Sequence, residues 1–350
     1  MKSRSSPLLA DSGPQRFDAF LEEALYGPNG FYTGGGRAGQ TDGDFTTSVE
    51  NGGLFGSCIA RWLDAVWIDL GRPDPFVVIE GGSGPGRLCR DVMLAVEECR
   101  PALRYVMVER STRQRTNAYD LVVGTCFPGH EEAPVAALPD LPAGPFNGVV
   151  LANELLDNLP FRLVRRAQTG WEELYVDDES FVGRQAEAPL LAMAHALAGD
   201  APVGALVPLQ LKASVWVRRA RALLDHGRVL IADYGVARTA ELAERPVAEW
   251  LRTFRRHRRG SGPLADVGQQ DITCEVAFDQ LPVPDTMTRQ SEWLRQHGLE
   301  DLIGAARSQW GRAAPRPTSS DLASRALLDE AANLTRTGGL GDFWVAEWRC

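Results

Sequence analysis

The chain has 350 residues, 44% of them apolar, with 37 Lys and Arg against 46 Asp and Glu for a net charge of −9. That is a globular composition, and it excludes intrinsic disorder and collagen-like repeats. At roughly 100–200 residues per domain the length suits one large α/β domain with an insertion, or two domains, and an acidic balance repels phosphate backbones.

Phe17, Phe20, Leu21, Ala24 and Leu25 recur at helical spacing and predict an amphipathic helix over 16–26, ended by Tyr26-Gly27-Pro28-Asn29-Gly30. A glycine-rich loop follows to Asp44, then a second helix from Leu54 to Leu70. Phe76-Val77-Val78-Ile79-Glu80 reads as a short buried strand, followed by Gly81-Gly82-Ser83-Gly84-Pro85-Gly86 and a helix through Val96. Tyr105 to Glu109 is the next strand, with a helix from Ser111 to about Leu121, so the unit is the βαβ seed of a doubly wound parallel sheet. Residues 124–145 are irregular and Pro-rich; Gly148 to Ala152 restores a core strand, ended by Asn153-Glu154-Leu155-Leu156-Asp157-Asn158-Leu159-Pro160. A hairpin is expected over 171–184, a helix near 215–225, a strand from Arg228 to Asp233 and a last strand from Phe343 to Trp348.

The sharpest chemical signal is the glycine run between a buried strand and a helix. Glycines let backbone approach a ligand closely, and the helix beyond offers free N–H groups and a positive dipole end, which implies a nucleotide-like ligand. A dinucleotide site would want a third glycine at position 87, where the chain has Arg87. The pattern starting at Glu80, with Gly82, Gly84 and Gly86, and with Glu109 at the end of the next strand, looks like an S-adenosyl-methionine loop. Glu109 would accept hydrogen bonds from both ribose hydroxyls; its alternative is a solvated charge paired to Arg110 or Arg113. Asn153, Glu154 and Asp157 lie at a strand's carboxyl end, the rim where open α/β sheets hold ligands, although either acid could instead cap the following turn.

The resemblance goes further than one loop. Leu25-Tyr26-Gly27-Pro28, Gly30-Phe31-Tyr32-Thr33, Gly43-Asp44-Phe45-Thr46-Thr47-Ser48, Phe55-Gly56, the segment 151–160, Ala232-Asp233-Tyr234-Gly235, the segment 251–257 and Gln270-Asp271-Ile272-Thr273 stand in the order of the MidA-like class I methyltransferases. The chain resembles that family from about residue 16 to 310. The resemblance implies a Rossmann-like, doubly wound, mostly parallel seven-stranded sheet with an N-terminal helical segment and a substrate-shaping insertion. It implies S-adenosyl-L-methionine as the cofactor, no metal, and an N-terminal helical segment over 1–72 that contributes to the cofactor pocket. The cofactor core would span 73–160, the remaining strands and the insertion 161–310, and a C-terminal helix and final strand 311–350.

Cofactor contacts are expected from Thr47, Ser48, Glu80, Gly82, Gly84, Gly86, Glu109 and Asn153. For Ser48, N-capping of the second helix is the alternative. The acceptor implied by the family's mitochondrial members is a protein arginine, on a target resembling a respiratory complex I subunit. A guanidinium stays charged below a pKa of about 12, so a carboxylate must orient it, Glu154 first and Asp157 second. His257 is a candidate proton acceptor or a plain surface residue. Asp271 to Thr273 is either the end of a loop beside the acceptor channel, as the resemblance implies, or a turn into a strand. A small-molecule acceptor and a non-catalytic assembly or binding protein are the alternative readings.

Arg252, Arg255, Arg256, Arg258 and Arg259 form the one basic cluster, too small for nucleic acid and better suited to a solvated loop or an acidic protein partner. The six cysteines (58, 89, 99, 126, 274 and 350) never reach a C-x-x-C spacing, so no zinc site is expected. No apolar run approaches the ~20 residues of a membrane span, and the amino terminus reads as neither a signal nor a transit peptide. A cytoplasmic protein with reduced thiols is the expectation.

Overall fold

The computed structural model describes residues 13–34, 52–130, 132–255, 258–313 and 317–350. The chain folds as two units, one from Met1–Phe45, Leu155–Arg218 and Gly235–Val283, the other from Thr46–Glu154, Arg219–Tyr234 and Pro284–Cys350. The chain passes between the units five times, after 45, 154, 218, 234 and 283.

The second unit holds the sheet. Its elements are α1 (Leu54–Asp69), β1 (Phe76–Gly81), α2 (Arg87–Ala95), β2 (Leu103–Val108), α3 (Thr112–Cys126), β3 (Val135–Leu138), β4 (Phe146–Asn153), β5 (Leu224–Asp233), β6 (Thr286–Arg289), α4 (Gln290–Gln296), α5 (Leu299–Gly311), α6 (Ser319–Leu334) and β7 (Trp344–Arg349). The strand order is β3-β2-β1-β4-β5-β7-β6. The first five run parallel and β7 is antiparallel to both of its neighbours. This is the mostly parallel seven-stranded, doubly wound sheet expected.

β1 is the middle one of the five parallel strands and has all six residues buried, as a parallel strand covered on both faces must. Phe55, Ile59 and Leu63 of α1 share a core with Val78, Tyr105, Val149, Val92 of α2 and Trp293 of α4. The stretch read as irregular contains β3, a short strand between Pro134 and Pro139 whose sheet neighbour is β2. Proline at both ends is compatible with an edge strand, and it conceals the strand in the sequence. α1 begins after Gly53, which is its N-cap.

The first unit is antiparallel for the most part. Trp171–Asp177 pairs with Arg162–Arg166 and with Ser180–Gln185, the expected hairpin. Arg162–Arg166 in turn pairs with Leu206–Leu209. The helix Phe17–Tyr26 buries the face anticipated, Phe17, Phe20, Leu21, Ala24 and Leu25, against Phe161, Leu163 and Leu174. The polar stretch after 237 contains the strand Leu251–Arg255, which pairs antiparallel with Asp271–Cys274. Among the described residues no helix is long and apolar enough to cross a membrane.

Candidate active site

The turn after β1 is built by alternate glycines. Gly82, Gly84 and Gly86 have φ of 67°, 51° and 80°, the left-handed region that side-chain-bearing residues avoid. The N–H groups of Gly82 and Ser83 both donate to the carbonyl of Val108, at 2.9 and 3.2 Å, which ties the turn to the end of β2. Gly86 is the N-cap of α2, and a Cβ there would lie 2.9 Å from the Cα of Ala118 in α3. The space beside this corner is therefore reserved for backbone.

Glu109 follows β2 directly. Its Oε2 accepts from the Gly84 N–H at 3.1 Å and its Oε1 from the Ser111 N–H at 2.7 Å. The carboxylate thus faces the glycine turn, and an ion pair with Arg110 or Arg113 is not what holds it. Burial raises its pKa, opposed by these two N–H groups and by the charges of Arg115 and Arg110. Three shielded polar atoms nearby have no hydrogen-bond partner among the described residues: Ser83 Oγ, Gln114 Oε1 and Asn153 Oδ1. Ser83 is in the turn, a Cβ on Gly84 would sit 3.5 Å from Gln114 Oε1, and Asn153 follows Ala152, which pairs with Gly81. Buried polar groups are rarely left without partners, so this ring of atoms is suited to a polar ligand such as a nucleoside. Gln114 and Ser83 carried no sequence signal of their own, because only the fold sets them around the turn.

Glu80, near the end of β1, is buried; the hydroxyl of Tyr105 donates to its Oε2 at 2.9 Å, and burial pushes its pKa up to about 8.

Glu154 ends β4 with a φ of 50°, one of four non-glycine residues with positive φ among those described. Its N–H donates to the Ala232 carbonyl at 2.9 Å, and the Asn153 amide donates to its Oε1 at 3.3 Å. A left-handed glutamate is costly, by about 1–3 kcal/mol, and such strain gathers at functional positions.

Asp157 belongs to the other unit, in the 3-10 turn Leu156–Asn158, and is buried. It does not act alone there: its charge is one of the causes that raise the pKa of Asp271 to about 8, after burial itself. The hydroxyl of Tyr32 donates to Asp271 Oδ1 at 3.1 Å, the amide of Asn158 donates to the same atom at 3.0 Å, and the hydroxyl of Tyr26 donates to the Asn158 carbonyl at 3.3 Å. Four motif segments, 25–28, 30–33, 151–160 and 270–273, therefore converge on one buried polar cluster.

Thr47, Ser48 and His257 lie outside the described residues. Of the basic cluster, Arg252 is bound to Glu275 at 2.6 Å together with Arg245 at 2.8 Å, Arg255 lies 3.6 Å from Asp266, and Arg259 donates to the Ala248 carbonyl. These side chains are tied into the protein. No cluster of His, Cys, Asp or Glu fit to hold a metal occurs among the described residues.

Comparison with known proteins agrees with this geometry. The model of a family of S-adenosyl-L-methionine-dependent methyltransferases matches residues 58–297. The protein arginine methyltransferase NDUFAF7 homologue of Drosophila melanogaster, a mitochondrial protein, is 26% identical over 300 residues, 77% of this chain and 66% of that one. The protein arginine methyltransferase NDUFAF7 of Danio rerio is 27% identical over 310 residues, 80% of this chain and 70% of that one. This chain thus spans about two thirds of the length of these curated relatives. A protein from Burkholderia thailandensis, crystallised with S-adenosyl-homocysteine, superposes with a TM-score of 0.81 at 27% identity, covering 97% of this chain and 88% of that one.

Proposed function

We propose, for a chain that belongs to the MidA-like family of S-adenosyl-L-methionine-dependent methyltransferases, that it methylates a guanidinium nitrogen of a protein arginine. The bound cofactor supplies a methyl group activated by attachment to a sulfonium. The Gly82–Gly86 turn admits it at backbone distance, and the Glu109 carboxylate, already facing that turn, would take the ribose hydroxyls. Ser83, Gln114 and Asn153 offer polar atoms that still lack partners among the described residues.

The observation that carries the acceptor half is Glu154, a carboxylate held in a left-handed conformation at the end of the strand beside β1. There it would orient a cationic acceptor and disperse its charge as the nitrogen lone pair forms the new N–C bond. The methyl group would pass from the sulfonium to that nitrogen, leaving the thioether behind, and the nitrogen's proton would go to the Glu154 carboxylate or to water. The names of the relatives from Drosophila and Danio favour arginine over other nucleophiles. A respiratory complex I subunit is the target that the family resemblance suggests. Six unpaired cysteines suit a reducing compartment, and we place the protein in the cytoplasm, although these relatives are mitochondrial.

The test is incubation with isotopically labelled S-adenosyl-methionine and lysate of a strain lacking this protein, followed by mass spectrometry. Label on arginine of a polypeptide is expected. Label confined to a small molecule overturns the arginine reading, and failure to bind S-adenosyl-homocysteine in titration calorimetry overturns the enzyme reading.

A further inference from the structure

Three adjoining strands of the sheet meet one rim: β4 and β5 end there and β7 begins there. The register fixes this, because Asn153 is the partner of Ala232 and Asp233 the partner of Trp344. The first residues beyond the three strands are Glu154, Tyr234 and Phe343, and all of them belong to the unit that holds the sheet. A carboxylate therefore stands in a row with two aromatic rings.

Tyr234 and Phe343 are half-buried, with ring centroids 5.4 Å apart and planes tilted by 46°. Their backbones are pinned. The Tyr234 N–H donates to Oδ1 of the fully buried Asp233 at 2.9 Å. The Phe343 N–H donates to the Leu340 carbonyl at 3.1 Å, and the Phe343 carbonyl accepts from the Gln290 N–H at 2.8 Å. Asn153 and Ala232 are register partners, so their side chains leave the sheet on the same face, and Tyr234 comes two positions after Ala232. The Asn153 amide in turn holds Oε1 of Glu154 at 3.3 Å.

An aromatic face carries the negative part of the ring quadrupole and attracts cations. A carboxylate alone draws any cation, whereas a ring beside it favours a flat one that can stack on it. The protein's own side chains make this pairing in the same corner. The guanidinium carbon of Arg289 lies 3.5 Å from the ring centroid of Trp344, the residue after Phe343.

We propose that Tyr234 and Phe343 are the specificity-determining residues of the acceptor position, an aromatic wall beside Glu154 against which the acceptor guanidinium lies flat, which rests on the arginine reading above. Glu154 takes the N–H edge of the guanidinium and the rings take its face. An ammonium lacks the flat face and a neutral ureido group lacks the charge, so each loses one half of the recognition.

The probe is N-acetyl-arginine amide, titrated calorimetrically into the full chain loaded with S-adenosyl-homocysteine, with N-acetyl-lysine amide and N-acetyl-citrulline amide as controls. Expected is binding of the arginine probe about tenfold tighter than either control. Tyr234→Leu and Phe343→Leu should each reduce the preference for arginine over lysine by about 3- to 10-fold, while Tyr234→Phe keeps it. Unchanged affinity of each variant for S-adenosyl-homocysteine reports that the fold and donor site persist. Equal binding of the arginine and lysine probes by the parent overturns the wall, and so does loss of the preference in Tyr234→Phe with donor affinity kept. A Tyr234→Leu protein that labels the same arginines at the parent rate overturns the wall while the function above stands. Preference for the arginine probe with no arginine labelled in the lysate supports the wall and overturns the function it was assigned to.

Discussion

The amide nitrogen of Gly84 lies 3.1 Å from Oε2 of Glu109, so a glycine of the turn after β1 and the acid that follows β2 hold each other across 25 positions of sequence. A ligand lodged in that turn meets a carboxyl group already aimed by two backbone donors. Hydrogen bonds to charged groups contribute about 1.5–3 kcal/mol each. Glu109→Gln should therefore weaken S-adenosyl-homocysteine binding by about 10- to 100-fold, measured by titration calorimetry. Burial raises the Glu109 pKa, so donor affinity of the parent should fall on acidification at a higher pH than an ordinary carboxylate would give.

Gly86→Ala tests the corner itself. The new Cβ would meet Ala118 at 2.9 Å from a backbone held at φ 80°, and neither strain can relax cheaply. A loss of about 1–3 kcal/mol in urea unfolding is expected, with weakened donor binding, because α2 must shift from α3.

Glu80 makes stability depend on pH. Its folded pKa of about 8 stands above the ordinary 4.5, so the folded state holds the proton more tightly than the unfolded one. That contribution is complete below pH 4.5 and is lost as pH rises to about 8. Glu80→Gln keeps an acceptor for Tyr105 and removes the titration. The difference in melting temperature between variant and parent should grow in favour of the variant from pH 5 to pH 8, and a constant difference would refute the burial account.

Glu275 gathers Arg245 and Arg252 at 2.8 and 2.6 Å. Glu275→Ala leaves two partly buried guanidiniums facing each other, with an expected loss of about 1–3 kcal/mol on urea unfolding, reduced from the fully buried case by the solvent that reaches both arginines. Arg245→Ala in the same background should recover part of it.

The sheet was legible because its central strands are continuous apolar runs. Phe76–Glu80, Gly148–Ala152 and Arg228–Asp233 need no partner information to be read as buried, and β1, β4 and β5 contain them. The polar cluster was visible only as separate motifs, since Tyr32 and Asp271 are 239 positions apart and nothing local announces their contact. Glu154 was legible as a rim acid, but its left-handed backbone was not, because glutamate carries no such preference. The five crossings between units left no trace in composition, as both units draw on the same mixture of apolar and charged residues.

The position of β7 governs how this protein can be made. It lies between β5 and β6 in the sheet, although it comes later in the chain than either. During synthesis the facing edges of β5 and β6 stay open until residues 344–349 have left the ribosome, which exposes two strand borders to wrong pairing in the nascent chain. A stop codon just ahead of Trp344 would leave β6 with no neighbour to join.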